Sequence, residues 1–118
     1  MSEKVKENFP KTARLRKRPE FLRLSRNGRK VYSANFVVIS KSNELGETRL
    51  GVTVSGKVGN AVVRNRIKRL VREFFRRHRP ELLPGLDVLV IAKKSATHLS
   101  FGLVAGELEK NLADQRIR

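Results

Sequence analysis

Gly59-Asn60-Ala61-Val62-Val63-Arg64-Asn65-Arg66-Ile67-Lys68-Arg69-Leu70-Val71-Arg72-Glu73-Phe74-Phe75-Arg76-Arg77-His78 is the stretch on which the reading of this chain turns. Asn60 is a good N-cap, because its side-chain oxygen can accept from the unpaired N–H groups of a first helical turn. Pro80 and Pro84-Gly85 end whatever begins there. At about 100° per residue, Val63, Ile67, Leu70, Val71, Phe74 and His78 fall on one side. Asn65, Lys68, Arg69, Arg72 and Arg76 fall on the other, with Arg64 and Arg66 flanking them. The spacing predicts a two-faced helix of about five turns, apolar toward a core and cationic toward something else.

A solvated cationic face would mix its signs, since Glu–Lys pairs one turn apart support a helix and like charges weaken it. Here Glu73 alone interrupts the row, and it can pair with Arg69, Arg76 or Arg77 without balancing them all. Arginine, whose planar fork suits bidentate phosphate contacts, predominates over lysine. The face is therefore expected to meet a polyanion. The net charge of +16 supports this, because it is focused: residues 11–30 and residues 57–79 each carry nine Lys/Arg and one acid, and the remainder sums to zero. Two basic elements in an otherwise balanced chain are the electrostatic footprint of a nucleic-acid binder. A membrane-surface anchor fits less well, because the strands around the helix need its apolar side as core.

The chain of 118 residues suffices for one domain with one modest core, so 1–118 reads as a single RNA-binding domain with residues 1–10 mobile. No cysteine is present, which removes disulfides, thiolate metal sites and cysteine nucleophiles. Without an apolar run long enough to span a bilayer or a signal-peptide core, a cytoplasmic location is expected. The eleven acids and two histidines form no catalytic constellation: His78 lies on the apolar side of the main helix and His98 in a loop. No two-metal carboxylate spacing and no complete phosphate-binding loop is found. Ser55-Gly56-Lys57-Val58-Gly59 can still hold one phosphate through backbone N–H groups at the helix start.

Around the basic helix, Pro19, Glu20 and Gly28 punctuate a shorter one with Phe21 and Leu24 facing inward. Residues 35–41 and 49–55 read as strands, expected to pair as an antiparallel hairpin, with a short extra strand at Val31-Tyr32. In the second of these strands Leu50, Val52 and Val54 take one face and Gly51, Thr53 and Ser55 the other. Residues 86–92 are apolar throughout, as befits a central strand, and make a βαβ unit with strand 49–55 and the basic helix. Ser100 caps a last helix carrying Phe101, Val104, Leu108 and Leu112. The sum is an α+β fold: a two-layer sandwich of a small mixed sheet, three to four strands, with helices packed on it. The small side chains of Gly51, Thr53 and Ser55 leave part of one sheet face open. A groove between that face and the first helix could take an extended strand, with Phe21 or Phe36 as a stacking surface unless both are core residues.

The stretch from Ser55 to Glu73 resembles the signature of the bacterial ribonuclease P protein component, with the Arg-Asn-Arg motif at Arg64, Asn65 and Arg66. Arg14-Leu15, Glu20-Phe21, Gly28 and Phe36-Val37-Val38 match in order and spacing, so the resemblance covers about residues 13–112. It departs at Ser25, where the family often has a second aromatic.

The resemblance implies a left-handed βαβ crossover, as in the ribosomal protein S5 domain 2-like fold. It also implies a subunit that assists a catalytic RNA in removing the 5′ leader from precursor tRNA. The partners would be RNase P RNA and the leader, Mg²⁺ would be bound by the RNA, and the free protein would be a monomer with no cofactor and no catalytic residue. Lys57, Asn60, Arg64, Asn65, Arg66, Lys68, Arg69 and Arg72 would face the catalytic RNA. Arg14, Phe21, Phe36, Thr53 and Ser55 would line the leader groove. The alternatives are a structural or ribosomal RNA-binding protein without a cleavage role, and a nuclease that needs no RNA.

Overall fold

A computed structural model of the chain describes residues 14–15 and 18–116, so the expected mobile segment 1–10 lies outside the described residues. The elements run α1 (Arg18–Asn27), β1 (Arg29–Tyr32), β2 (Phe36–Ser42), β3 (Arg49–Val54), α2 (Ala61–His78), β4 (Leu86–Ala92) and α3 (Phe101–Asn111). They form the expected α+β sandwich. The four strands make one mixed sheet in the order β1-β2-β4-β3, in which β4 is antiparallel to β2 and parallel to β3.

That order corrects one expectation. β2 and β3 do not form a hairpin, because β4 lies between them. The physical reason is burial. β4 is apolar on both faces, with Val88, Leu89 and Val90 all almost fully buried, and the interior of the sheet is the place that covers both faces. The β2–β3 connection accordingly passes over the start of β4, where the Asn43 N–H donates to the Gly85 carbonyl at 2.7 Å. Gly46 and Gly85 both adopt positive φ (78° and 74°), which glycine takes at little cost.

The two sheet faces are unequal. Phe36, Val38, Leu50, Val54, Val88 and Val90 meet Ile67, Val71, Phe74 and Phe75 of α2, Val104 and Leu108 of α3 and Leu112 just past its end in the main core. Burying an apolar side chain of this size contributes about 1.5–3 kcal/mol, so this layer dominates stability. The opposite face holds a smaller cluster in which Leu15 and Leu24 pack on Ile39 and Leu89. Asn60 and Ser100 cap α2 and α3, accepting from the N–H groups of Val63 and Leu103 respectively. Among the described residues no helix is long and apolar enough to cross a membrane.

Polar clamps fix the layers. Arg49 of β3 is held by both carboxylate oxygens of Asp87 at 2.8 Å and by Glu20 of α1 at 3.0 Å. The hydrogen bond to Asp87 chiefly, against the cost of burial, raises the guanidinium above its ordinary value. At the other end of the sheet, Glu107 of α3 accepts from the Ser33 hydroxyl and from the Asn35 backbone and side-chain N–H groups at 2.8 and 2.7 Å. Burial raises this carboxyl, but the bonds from Ser33, Asn35 and Phe36 outweigh it and hold the pKa below the usual range.

Two glycines should respond to alanine with opposite sign. A Cβ at Gly28 would stand 2.4 Å from Ile39 Cγ2 and 2.8 Å from the Leu24 carbonyl, so Gly28→Ala should cost about 1–3 kcal/mol. A Cβ at Gly106, inside α3, meets nothing within 4 Å, so Gly106→Ala should add about 0.5–1 kcal/mol; urea unfolding measures both. The clasp makes a second prediction. Because the folded pKa of Glu107 is depressed, its contribution is present above the unfolded value of about 4.3 and is lost as pH falls through the folded one. Glu107→Gln should therefore destabilise by about 1–3 kcal/mol at neutral pH and by progressively less in acid.

Candidate nucleic-acid interface

On α2 the expected two-faced pattern is present, with Ile67, Val71, Phe74 and Phe75 buried. Phe75 adds to the predicted apolar side. Glu73, the one acid of the helix, bonds Arg76 (2.7 and 3.0 Å) and Arg77 (2.8 Å), not Arg69. Its carboxyl, held mainly by the Arg76 hydrogen bond against some desolvation, drops to about 2. The paired cations thus lie in the last turns. Among the described residues, Arg64, Arg66, Lys68, Arg69 and Arg72 have no carboxylate within ion-pair distance, and they occupy the first three turns.

These five are not equivalent. Arg69 is exposed and Lys68 half-buried. Arg64 is half-buried, with its Nε enclosed and without a hydrogen-bond partner among the described residues. Arg72 is lowered from its ordinary pKa by burial first and by the charge of Arg14 second. A phosphate would relieve that stress. Arg66 differs: its guanidinium donates to the Leu99 carbonyl at 2.7 Å and to the Thr97 carbonyl at 3.5 Å. Part of its donor fork therefore ties α2 to the segment after β4. Thr97 Oγ1 adds a bond to the Val58 carbonyl at 3.3 Å. The turn 55–58, the helix start and residues 97–99 are joined in this way. No sequence pattern marks Thr97, whose part depends on a contact between segments 39 residues apart.

Lys57 and Asn65 are exposed beside this start. Asn60 uses its side-chain oxygen on the Val63 N–H at 3.0 Å, so its capping role is filled. A Cβ at Gly59 would press on Val63 at 3.0 Å, which keeps the approach to α2 bare. His78 stacks on Phe74 (centroids 4.2 Å apart) with Nδ1 2.9 Å from the Phe74 carbonyl, in a structural setting. Among the described residues no three His, Asp or Glu side chains gather closely enough to hold a metal ion.

The second surface lies on the sheet face that α1 covers only in part. Phe21 rests over Gly51, where a Cβ would come 2.9 Å from its ring, and it remains partly exposed. Thr53 is half-exposed and Ser55 exposed on the same face, and Val37 and Ile91 add a partly open apolar floor. Phe36 does not belong here. It is 0 % exposed in the core beneath α2 and α3 and cannot stack on a base. The run Phe36-Val37-Val38-Ile39 is apolar at every position, so nothing in it tells which residues face which layer. Arg14 is also displaced from the groove. Leu15 packs on the α1 side, so Arg14 points the other way across the β3 edge, within electrostatic reach of Arg72.

Comparison with known proteins agrees with this geometry. The family model described as Ribonuclease P matches residues 9–115. The Ribonuclease P protein component of Citrifermentans bemidjiense is 48% identical over 101 residues, 86% of each chain. Among solved structures, a Staphylococcus aureus RNase P protein, a mutant with defective mRNA degradation activity, superposes with a TM-score of 0.82 at 36% identity over 88% of each chain. The RNase P protein from Thermotoga maritima gives 0.79 at 35% identity, covering 86% of this chain and 96% of that one. A basic helix on a mixed four-stranded sheet, matched in sequence and in shape over most of its length, places the chain in the ribonuclease P protein family.

Proposed function

We propose that this chain, as the protein subunit of ribonuclease P, uses the first three turns of α2 to hold the catalytic RNA and the groove beside α1 to hold the precursor tRNA leader. Phosphodiester hydrolysis is assigned to the RNA subunit with its Mg²⁺. The observation that carries the reading is the set of cations on α2 that no carboxylate of the described residues pairs, in a chain of net charge +16. A fold that needed these charges for its own stability would pair them, as it pairs Arg49, Arg76 and Arg77. Lys68, Arg69, Arg72 and Arg64 supply phosphate contacts, joined by Arg14 at the β3 edge. Arg66 keeps the helix start in place and offers its remaining N–H groups to RNA. Lys57 and the N–H groups of Gly59 and Asn60 hold a phosphate at the end of the helix that favours negative charge.

For the groove, Phe21 gives a stacking surface above the floor of Thr53, Val37 and Ile91, with Ser55 at its mouth. Backbone contacts of this kind position a strand without reading its sequence, and stacking tolerates any base. A cytoplasmic setting, where precursor tRNA is found, completes the proposal.

Cleavage of precursor tRNA tests the assignment of chemistry. At low Mg²⁺, protein together with RNase P RNA should cleave efficiently, and neither alone should; cleavage by the polypeptide alone would overturn it. Binding tests the surfaces. The Arg64→Ala/Arg69→Ala variant should flatten the slope of log affinity against log salt by about two units with an unchanged melting temperature. Arg66→Ala should weaken binding and also lower the melting temperature, since it releases the Thr97 and Leu99 carbonyls. Phe21→Ala should weaken leader-bearing tRNA by roughly tenfold while leaving mature tRNA unaffected. Equal losses for both substrates would reject the groove.

A further inference from the structure

Register places one exposed aromatic where neither the basic helix nor α1 accounts for it. Tyr32 pairs with Val37, Val37 with Ile91, and Ile91 with Thr53, a single row across all four strands. Residues paired across strands share a face, so Tyr32 stands on the α1 side of the sheet with the groove floor. The row beside it, Lys30, Ile39, Leu89 and Gly51, is the one that α1 occupies through Leu24 and Phe21. Tyr32 therefore ends the row alongside α1 that the described residues leave partly open, on the edge strand β1, and is 68% exposed. Three inter-strand spacings, about 14 Å, separate it from Thr53 at the opposite edge.

Among the described residues, Phe21 and Tyr32 are the aromatics on this face. α1 carries Ser25 one turn beyond Phe21, and Phe36 is spent in the opposite core. An exposed tyrosine on an edge strand contributes little to folding. Lys30, two residues back on the same face and exposed, supplies positive charge for a neighbouring phosphate.

The geometry points to Tyr32 as a stacking platform for a base of the single-stranded 5′ leader, at the end of the groove farthest from α2. This rests on the groove reading above. It adds that the leader crosses the whole sheet, from Thr53 on β3, past Ile91 and Val37, to β1. Leader nucleotides near the cleavage point lie by Thr53 and Phe21, and only a leader long enough to span the row reaches Tyr32. Length dependence is thus the signature of the platform.

The test measures binding by the reconstituted holoenzyme of mature tRNA, a precursor with a leader too short to cross the sheet, and one with a leader long enough to do so. Tyr32→Ala should lose roughly 5- to 150-fold in affinity for the long leader and nothing for the other two. Tyr32→Phe, which keeps the ring, should behave as wild type, and both variants should melt with the wild type because the side chain is exposed. Undiminished preference for the long leader in Tyr32→Ala would overturn the platform while leaving the groove intact, as would an equal loss for all three substrates. A wild-type holoenzyme that binds long and short leaders alike would instead overturn the groove reading itself.

Discussion

The structure depends on α2 satisfying two opposed demands. Its inner side seals the main core through Ile67, Val71, Phe74 and Phe75, while its outer side keeps like charges one turn apart. Repulsion between neighbouring cations on a helix costs about 0.2–0.5 kcal/mol per pair. Burial of each large apolar side chain returns about 1.5–3 kcal/mol. The core term is the larger by several fold, so the helix can carry a charge pattern that an isolated peptide would not tolerate. Glu73 refines the pattern by pairing with Arg76 and Arg77, which offsets one of their two charges next to Phe101 and the α3 layer. The cations left over are gathered toward the N-terminal turns.

The second constraint is the seating of α1. A helix of ten residues has little stability of its own, so its place is set by what it touches. Leu24 enters the small cluster, Gly28 lets the chain close on Ile39, and Glu20 joins the Arg49–Asp87 pair. Asn43 donates to the same Asp87 carboxylate at 2.8 Å, which links the connection between β2 and β3 to the clamp. α1 is thereby fixed over one row of the sheet, and the described residues leave the next row partly open. The groove is the part of the face that a short helix cannot cover.

Much of this was legible in the chain. The periodicity of residues 63–78, the caps at Asn60 and Ser100, and the alternation of Leu50, Val52 and Val54 are local patterns, and local patterns survive folding. What failed was information that only a neighbour supplies. The insertion of β4 between β2 and β3 follows from its need for cover on both faces, which a pairwise reading of adjacent strands does not weigh. Phe36 was misplaced for the same reason: which side of β2 meets α1 is decided by register, and a run of four apolar residues leaves register unmarked. Arg66 and Arg64 look alike in sequence, yet one donates to two distant carbonyls and the other has a buried Nε with no hydrogen-bond partner among the described residues.

The two cationic stretches, far apart in sequence, meet through β3. Arg14 bridges β3 at Leu50 and lies near enough to Arg72 to lower its pKa, so one cation of the amino-terminal stretch stands on the α2 side of the sheet. On its other face the same strand carries Gly51 and Thr53, the near end of the groove, and its chain continues through Ser55 and Lys57 into the capped start of α2. One edge strand therefore borders both the arginine-rich surface and the open sheet face. Charge on the first attracts any polyanion and falls off within about a Debye length, roughly 8–10 Å at ordinary salt. On the proposed reading, the aromatic and apolar floor of the second takes only a chain whose bases are free to leave a duplex. Because β3 holds the two side by side, the ligand proposed for this fold is a nucleic acid with both paired and unpaired parts.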